Sequence, residues 1–381
     1  MTDLSDSRVL IVDDVSTNID ILVAALRDEY KLSIAIDGAA ALRSIEKNPP
    51  DLVLLDIVMP GIDGYEVCRQ LRAREVTREL PVMFLSSLED VADKAHGFEV
   101  GANDYLTKPF EILEVKARVR SLLKAKAYAD AIREAMARDL RIARDIQMGI
   151  LPADLAAVTA GTGLDVQAII ESARAVGGDL YEVMRVDNDR LVVALGDVSG
   201  KGIPAAIFMA VVITVLRTLA RQIAQPDEIL RRLNDELARQ NPHGMFVTIQ
   251  CLVFDLAQRR VSFAGAGHHP LAILSPGRPP RLACRSTGWP AGVMLSNPVE
   301  CETFALEPGD TFVLFSDGVS EAINAAEEFY GEDRLMAVLS ATAAASAAEI
   351  VKNVVADVRT FATGAIQSDD IAVLAACYAP R

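Results

Sequence analysis

Along the chain, apolar residues first recur in short unbroken runs separated by amphipathic stretches. VLIVDD (9–14), DLVLLD (51–56), PVMFLSS (81–87) and DYLTKPF (104–110) each read as a buried strand closed by polar residues. Helix-like periodicity fills the gaps, as in the stretch leading to Leu26. Strands alternating with helices predict a parallel, doubly wound α/β sheet over residues 1–125. The pattern then shifts. Residues 111–151 contain no proline and one glycine, Gly149, and the apolar positions Val115, Val119, Leu122, Ala129, Ile132, Met136, Leu140, Ala143, Ile146 and Ile150 fall three or four apart with one gap of seven. That spacing predicts one amphipathic helix of about 60 Å, or a short coiled coil, stopped by Pro152. Beyond it the runs pair as hairpins, YEVMRV–DND–RLVVALGDV (181–198) and FVTIQCLVFDLAQRRVSFAGAG (246–267), followed by TFVLFSDG (311–318) and IAVLAACY (371–378). Helical segments at 203–220 and 226–240 complete an α+β reading: two antiparallel sheets with helices outside.

Length turns these patterns into a multidomain expectation. A chain of 381 residues exceeds one ordinary core. The expected division is a domain over 1–125, a helical linker over 111–151 that continues its last helix, and a second domain over 152–381. With 51% apolar and 24% charged residues the chain folds, and its net charge of −15 argues against nucleic acid or anionic membrane as a partner. Five scattered cysteines without a C-x-x-C pair, and a charged start MTDLSDSR, point to a reducing cytoplasm. The uncharged run over 202–216 is short for a bilayer and is broken by Pro204, so it reads as a buried helix.

The polar residues that close the N-terminal strands carry chemistry. In a parallel sheet, strand ends share one edge, which gathers Asp13, Asp14, Asp56, Ser86 and Lys108. Three carboxylates repel unless a divalent cation joins them, and hard oxygen ligands suit Mg²⁺. The segment closely resembles the receiver domain of two-component response regulators, a flavodoxin-like fold. The resemblance implies that Asp13, Asp14 and Asp56 bind Mg²⁺ with help from the Val58 carbonyl, and that Asp56 accepts phosphate from a histidine kinase or phosphotransfer protein. Ser86 would be the switch hydroxyl, Tyr105 the switch aromatic and Lys108 the phosphate contact; Ser86-Ser87 stands where Thr-Ala is usual. Cys68 and Arg74 fit a C-x₅-R phosphatase spacing, but with no glycine-rich loop or preceding histidine the match reads as chance.

In the C-terminal half, LGDVSGKG (195–202) looks like a phosphate loop, yet its glycines are misplaced for G-x-x-x-x-G-K-[S/T] and Asp197 would repel phosphate. Asp197 has company: Asp179 after Gly177-Gly178, Asp317 before Gly318, and Asp369-Asp370 before a strand. An oxygen-only set with no nearby histidine or cysteine ligand suits Mg²⁺ or Mn²⁺, and a two-metal site activates water for attack on phosphorus. The ordered motifs GGDLYE, GDVSGKG, FSDG and QSDD, with RDIQMGILP, AGHHP and EEFYGEDRL, resemble metal-dependent serine/threonine phosphatases of the PP2C superfamily, in the branch of bacterial sporulation and stress phosphatases. The resemblance implies a β-sandwich flanked by helices, two Mn²⁺ or Mg²⁺ ions, Asp197 bridging them, and the Val198 carbonyl, Asp179, Asp317 and Asp369 or Asp370 completing the set. Arg174 could hold substrate phosphate, and His268 and His269 could be structural or catalytic. The implied substrate is a phosphoserine or phosphothreonine protein, an anti-sigma-factor antagonist by the same resemblance. Two rivals are weaker. A diguanylate cyclase needs an acid where Leu180-Tyr181 stands, and a non-catalytic adaptor needs no metal aspartates. The linker either packs on its own domain or pairs two chains, and its length favours a homodimeric stalk.

Overall fold

The computed structural model describes residues 4–86, 91–239, 241–283, 286–343 and 345–379; Ser87 and Cys284 lie outside them. The chain divides into two compact units, Met1–Ala137 and Arg138–Arg381.

In the first unit, strands β1 (Arg8–Val12), β2 (Lys31–Ala35), β3 (Leu52–Asp56), β4 (Val82–Ser86) and β5 (Asp104–Thr107) form one sheet in the order β2-β1-β3-β4-β5, every pair parallel. Helices α1 (Ser16–Leu26), α2 (Gly38–Lys47), α3 (Gly64–Ala73) and α4 (Val91–Glu99) alternate with the strands, and α5 (Ile112–Ile150) follows β5. The strands read as unbroken apolar runs because both faces are covered. Val9 and Ile11 face α1 and the start of α5, whereas Leu10 and Val12 face α2 and α3. β2 is a strand that hydrophobic runs do not reveal. Its sequence KLSIA lies at a sheet edge, with only Ala35 buried, so no continuous apolar signal is required of it.

Helix α5 is 39 residues long. Val115, Val119 and Leu123 are buried against the sheet, whereas Ile132 and Met136 are 61% and 60% exposed. The middle of the helix keeps a few polar ties to the first unit, Lys126 to Asp51 and Arg133 to Glu79, while the side chains of Ile132 and Met136 stay exposed.

The second unit opens with the short helix α6 (Leu155–Thr159) and β6 (Leu164–Glu171). The hairpin β7 (Leu180–Arg185)–β8 (Arg190–Val198) follows, then helices α7 (Ile203–Ala220) and α8 (Pro226–Arg239). Next come β9 (Val247–Asp255), β10 (Arg260–Ala266), β11 (Leu271–Leu274), β12 (Arg281–Ala283), β13 (Cys301–Ala305) and β14 (Thr311–Phe315). Helices α9 (Asp317–Ser320), α10 (Gly331–Ala341) and α11 (Ala347–Phe361) precede the last strand, β15 (Ile371–Tyr378). Two antiparallel five-stranded sheets result, β13-β10-β9-β8-β7 and β12-β11-β14-β15-β6. Alternation within β8 shows how they stack: Leu191, Val193 and Leu195 point into the core between the sheets, and Val192 and Ala194 point out to α7 and α8. In β15, Leu374 faces inward and Val373 outward to α10 and α11. The architecture is a four-layer sandwich, α–β–β–α.

The apolar run expected as a buried helix is α7, and it extends over Arg217 to Ala220. It is long and apolar enough to cross a membrane by length and composition. One face, including Met209, Ile213 and Leu216, lies in the core, where each large side chain contributes roughly 1.5–3 kcal/mol. The opposite face is not covered: Ile207 is 63% exposed.

Candidate functional site

The first acidic cluster forms where β1, β3, β4 and β5 end. Asp13 is fully buried, Asp56 nearly so, and Asp14 exposed. Oxygens of all three lie within 4.8 Å of one another. Lys108 Nζ sits 2.8 Å from both Asp13 Oδ2 and Asp56 Oδ2. Asp13 also accepts from the Val15 N–H at 2.9 Å and from Asn18 Nδ2 at 3.0 Å, a side chain that strand-end reasoning had no cue to select. Burial raises the carboxyl of Asp56 above its usual range, although Lys108 pulls the other way. Burial acts to lower Lys108, but hydrogen bonds and charges from Asp13 and Asp56 together hold it above its usual value. The Val58 side chain is exposed while its backbone N–H bonds Asp56. Ser86 and Tyr105 line one small cavity of about 10 Å³ with Phe84, Gly97 and Phe98. Cys68 is buried in α3 and donates to the Val100 carbonyl, with its thiol raised by burial, so its spacing to Arg74 has no chemical meaning.

The second cluster forms at one end of the sandwich, where loops from both sheets meet. Asp179 precedes β7, Asp197 lies near the end of β8, Asp317 follows β14 and starts α9, and Asp369-Asp370 precede β15. These separated motifs come together: burial raises Asp179 well above the usual carboxylate range, and Asp197, Asp370 and Asp317 reinforce the shift. Asp197 is pushed up to about 7 by burial and by Asp317, Asp369 and Asp370, and its carboxyl lies against Asp179. Asp317 is raised by burial and by Asp369.

Close backbone approach is what the glycines permit. A Cβ on Gly178 would lie 2.6 Å from the Val198 carbonyl oxygen and 3.2 Å from Asp197 Oδ1. One on Gly177 would lie 1.9 Å from Asp370 Oδ2. The two acids of the QSDD motif do different things. Asp370 is buried and spends its oxygens on the N–H groups of Ala173 and Gly178, each at 2.8 Å. Asp369 is half-buried, and its Oδ2 meets Lys201 Nζ at 2.8 Å. Lys201, which the loop motif left without a task, thus places a cation beside the acidic cluster.

Several supporting side chains carried no sequence signal beyond their place in a motif. Ser316 is fully buried; its Oγ donates to Asp179 Oδ2 at 2.9 Å and accepts from the Ala372 N–H. His268 is buried between Thr248 Oγ1 (2.7 Å) and the Phe315 carbonyl (3.1 Å), and burial drives its pKa down to about 3. Its buried ring is thereby held in the neutral form. His269 stacks on Phe315 and lines an open cleft of about 500 Å³ together with Thr248, Asp317 and Glu321. Arg174 is exposed on the loop 172–179.

The donor set fits a hard divalent cation. Asp179 Oδ1 is buried and accepts no hydrogen bond, and it belongs to a cluster of crowded acids. Buried carboxylates in contact cannot all ionise without a counter-charge. Every candidate ligand atom is oxygen, the preference of Mg²⁺ and Mn²⁺ over zinc.

The fold and the two acidic centres define a class: a receiver domain joined by a long helix to a domain with the PP2C-type fold. Residues 9–120 match the response regulator receiver domain. Residues 187–379 match Stage II sporulation protein E (SpoIIE), and the chain belongs to that family. Response regulator PleD of Caulobacter vibrioides is 42% identical over 137 residues, 36% of this chain and 30% of that protein. Protein IcfG of Synechocystis is 25% identical over 96% of this chain, which spans 58% of IcfG. In fold, the SiaA-PP2C domain of Pseudomonas aeruginosa superposes with a TM-score of 0.58 at 22% identity, covering 64% of this chain and 98% of that domain. A SpoIIE phosphatase-domain structure from Bacillus subtilis gives 0.50 at 20% identity over 57% of this chain and 64% of that one.

Proposed function

We propose that this protein is a response regulator whose output is a metal-dependent protein serine/threonine phosphatase, controlled by phosphorylation of Asp56 and acting on a phosphorylated anti-sigma-factor antagonist. The observation that carries the reading is the buried, unpartnered Asp179 Oδ1 beside Asp197 at the loop end of a PP2C-type sandwich. Asp197, Asp179, Asp317, Asp369 and the Val198 carbonyl would hold two divalent ions, Mn²⁺ or Mg²⁺. Such ions, when bound, neutralise phosphate charge and activate water. Asp369 is assigned as the ligand because Asp370 is already committed to backbone N–H groups. Its role is to hold the loop that carries Asp179. Arg174, exposed on that loop, is suited to bind the substrate phosphate. The cleft beside Asp317 is open enough for a phosphorylated side chain, and neutral His268 shapes it without exchanging a proton.

In the receiver, Mg²⁺ on Asp13, Asp14 and Asp56 would support phosphoryl transfer to Asp56 from a histidine kinase or phosphotransfer protein. Ser86 and Tyr105 then move toward the phosphate and alter the face leading into α5. Coupling of this kind is typically about 1–3 kcal/mol. The unpartnered stripe on α5, with Ile132 and Met136, supports a homodimer through the helix.

The test is dephosphorylation of candidate phosphoproteins with Mn²⁺, with and without an acyl-phosphate mimic on Asp56. Activity that survives Asp197→Asn sinks the metal site. Equal rates in both receiver states, with Asp197→Asn inactive, sink the switch and keep the phosphatase.

A further inference from the structure

The last turns of α5 do more than lead into the sandwich. Gln147, in the RDIQMGILP segment, is buried, and its amide closes on a single residue of the GGD loop. Gln147 Nε2 donates to the Gly177 carbonyl at 2.7 Å, and the Gly177 N–H donates to Gln147 Oε1 at 3.3 Å. An amide has one face of each kind and so matches the two polar groups of the glycine. Gly177 cannot hold itself in place through a side chain, because Asp370 Oδ2 occupies the space where a Cβ would be. The loop is therefore positioned from two sides: by Asp370, through the Ala173 and Gly178 N–H groups, and by Gln147, through Gly177. Asp179 follows two residues later.

Two further ties bind the same helix end to β7, the strand that Asp179 introduces. Arg217 of α7 donates to the Ile150 carbonyl at 2.6 Å and pairs with the buried Glu182 at 2.5 Å. The Tyr181 hydroxyl donates to the Pro152 carbonyl at 3.1 Å. Residues 147–152 and 177–182 thus form one hydrogen-bonded unit, so a shift or rotation of the helix end carries the Asp179 loop with it.

We infer that Gln147 is a positioning residue for the metal-binding loop: its amide, carried on the linker helix, sets the place of Gly177 and hence of Asp179, so that displacing the helix end weakens metal binding. The inference rests on the phosphatase reading above and names the contact through which the linker would control that site. Residues that orient metal ligands typically change affinity about 10- to 100-fold when removed.

The experiment uses the full chain with Gln147→Glu, which keeps size but loses the donor, and Gln147→Leu, which loses both polar groups. Mn²⁺ affinity is read by electron paramagnetic resonance titration in an Asp14→Asn, Asp56→Asn background that removes the receiver's own cation site, beside p-nitrophenyl phosphate turnover against Mn²⁺ concentration and the melting temperature. The expected result is a dissociation constant and half-saturating Mn²⁺ raised about 10- to 100-fold, with turnover largely restored at saturating Mn²⁺. A folded variant that binds Mn²⁺ like the parent, whatever its melting temperature, overturns the inference. Asp197→Asn separates the two readings: if the parent binds no Mn²⁺, or this variant binds it normally, the phosphatase site itself is wrong. Hydrogen exchange of the unmodified chain needs no variant. Residues 144–150 and 172–179 are expected to gain protection together on Mn²⁺ addition, and protection confined to the loop overturns the inference.

Discussion

At the scale of single residues, the acidic cluster of the sandwich is a problem of crowded charge solved by missing side chains. Gly178→Ala puts a Cβ 2.6 Å from the Val198 carbonyl, so the loop must move away from Asp197. The expected cost is about 1–3 kcal/mol of stability, together with weaker Mn²⁺ binding, checked by urea denaturation and metal titration. Ser316→Ala strands the Asp179 carboxyl and the Ala372 N–H inside the protein. A loss of about 1–3 kcal/mol follows if these groups stay unsatisfied, and a Mn²⁺-saturated protein should recover part of it. His268 sets a pH dependence. Its pKa falls to about 3 on folding from an ordinary 6.5, so the folded form stays neutral while the unfolded form takes up a proton. Stability is therefore complete above pH 6.5 and is lost as pH falls from 6.5 toward 3. Between pH 7.5 and 5.5 the loss is about 1.4 kcal/mol, and His268→Asn should remove that part of the pH slope in urea midpoints. An unchanged slope would show that His268 does not titrate on unfolding.

Elements decide what those residues can reach. Helix α5 belongs to the receiver core at its start, through Val115 and Val119, and to the sandwich at its end, through Gln147 and Ile150. Between them Ile132 and Met136 are exposed, and these are the residues to change. Ile132→Glu with Met136→Glu is expected to convert a dimer to a monomer in analytical ultracentrifugation, leaving both units folded. A parent chain that sediments as a monomer at all concentrations would rule out the stalk. The periodicity of this helix was legible in the sequence because three- and four-residue spacing survives wherever one face must avoid water. The edge strand β2 was not legible, since an edge needs little apolar surface.

For the molecule as a whole, two units of different architecture predict separable responses to ligands. Mn²⁺ at about 100 times its dissociation constant should add about 2.7 kcal/mol to unfolding of the sandwich, and Asp197→Asn should abolish that gain. Mg²⁺ with an acyl-phosphate mimic should shift the receiver transition, and Asp56→Asn should be blind to it. Calorimetry of the parent and the two variants resolves these cases. The sequence by itself determined the layering. Unbroken apolar runs mark strands buried on both faces, and a change of period marks the linker; acids at strand ends mark where chemistry must lie, because those patterns follow from local geometry. It could not divide the labour within a motif. Asp369 and Asp370 are neighbours of the same type, and only the fold shows one spent on the N–H groups of Ala173 and Gly178 and the other facing Lys201. Gln147 and Gly177 are 30 residues apart and show no shared pattern. Their contact exists because the helix end and the GGD loop are packed together, and such long-range pairing is decided only when the layers close.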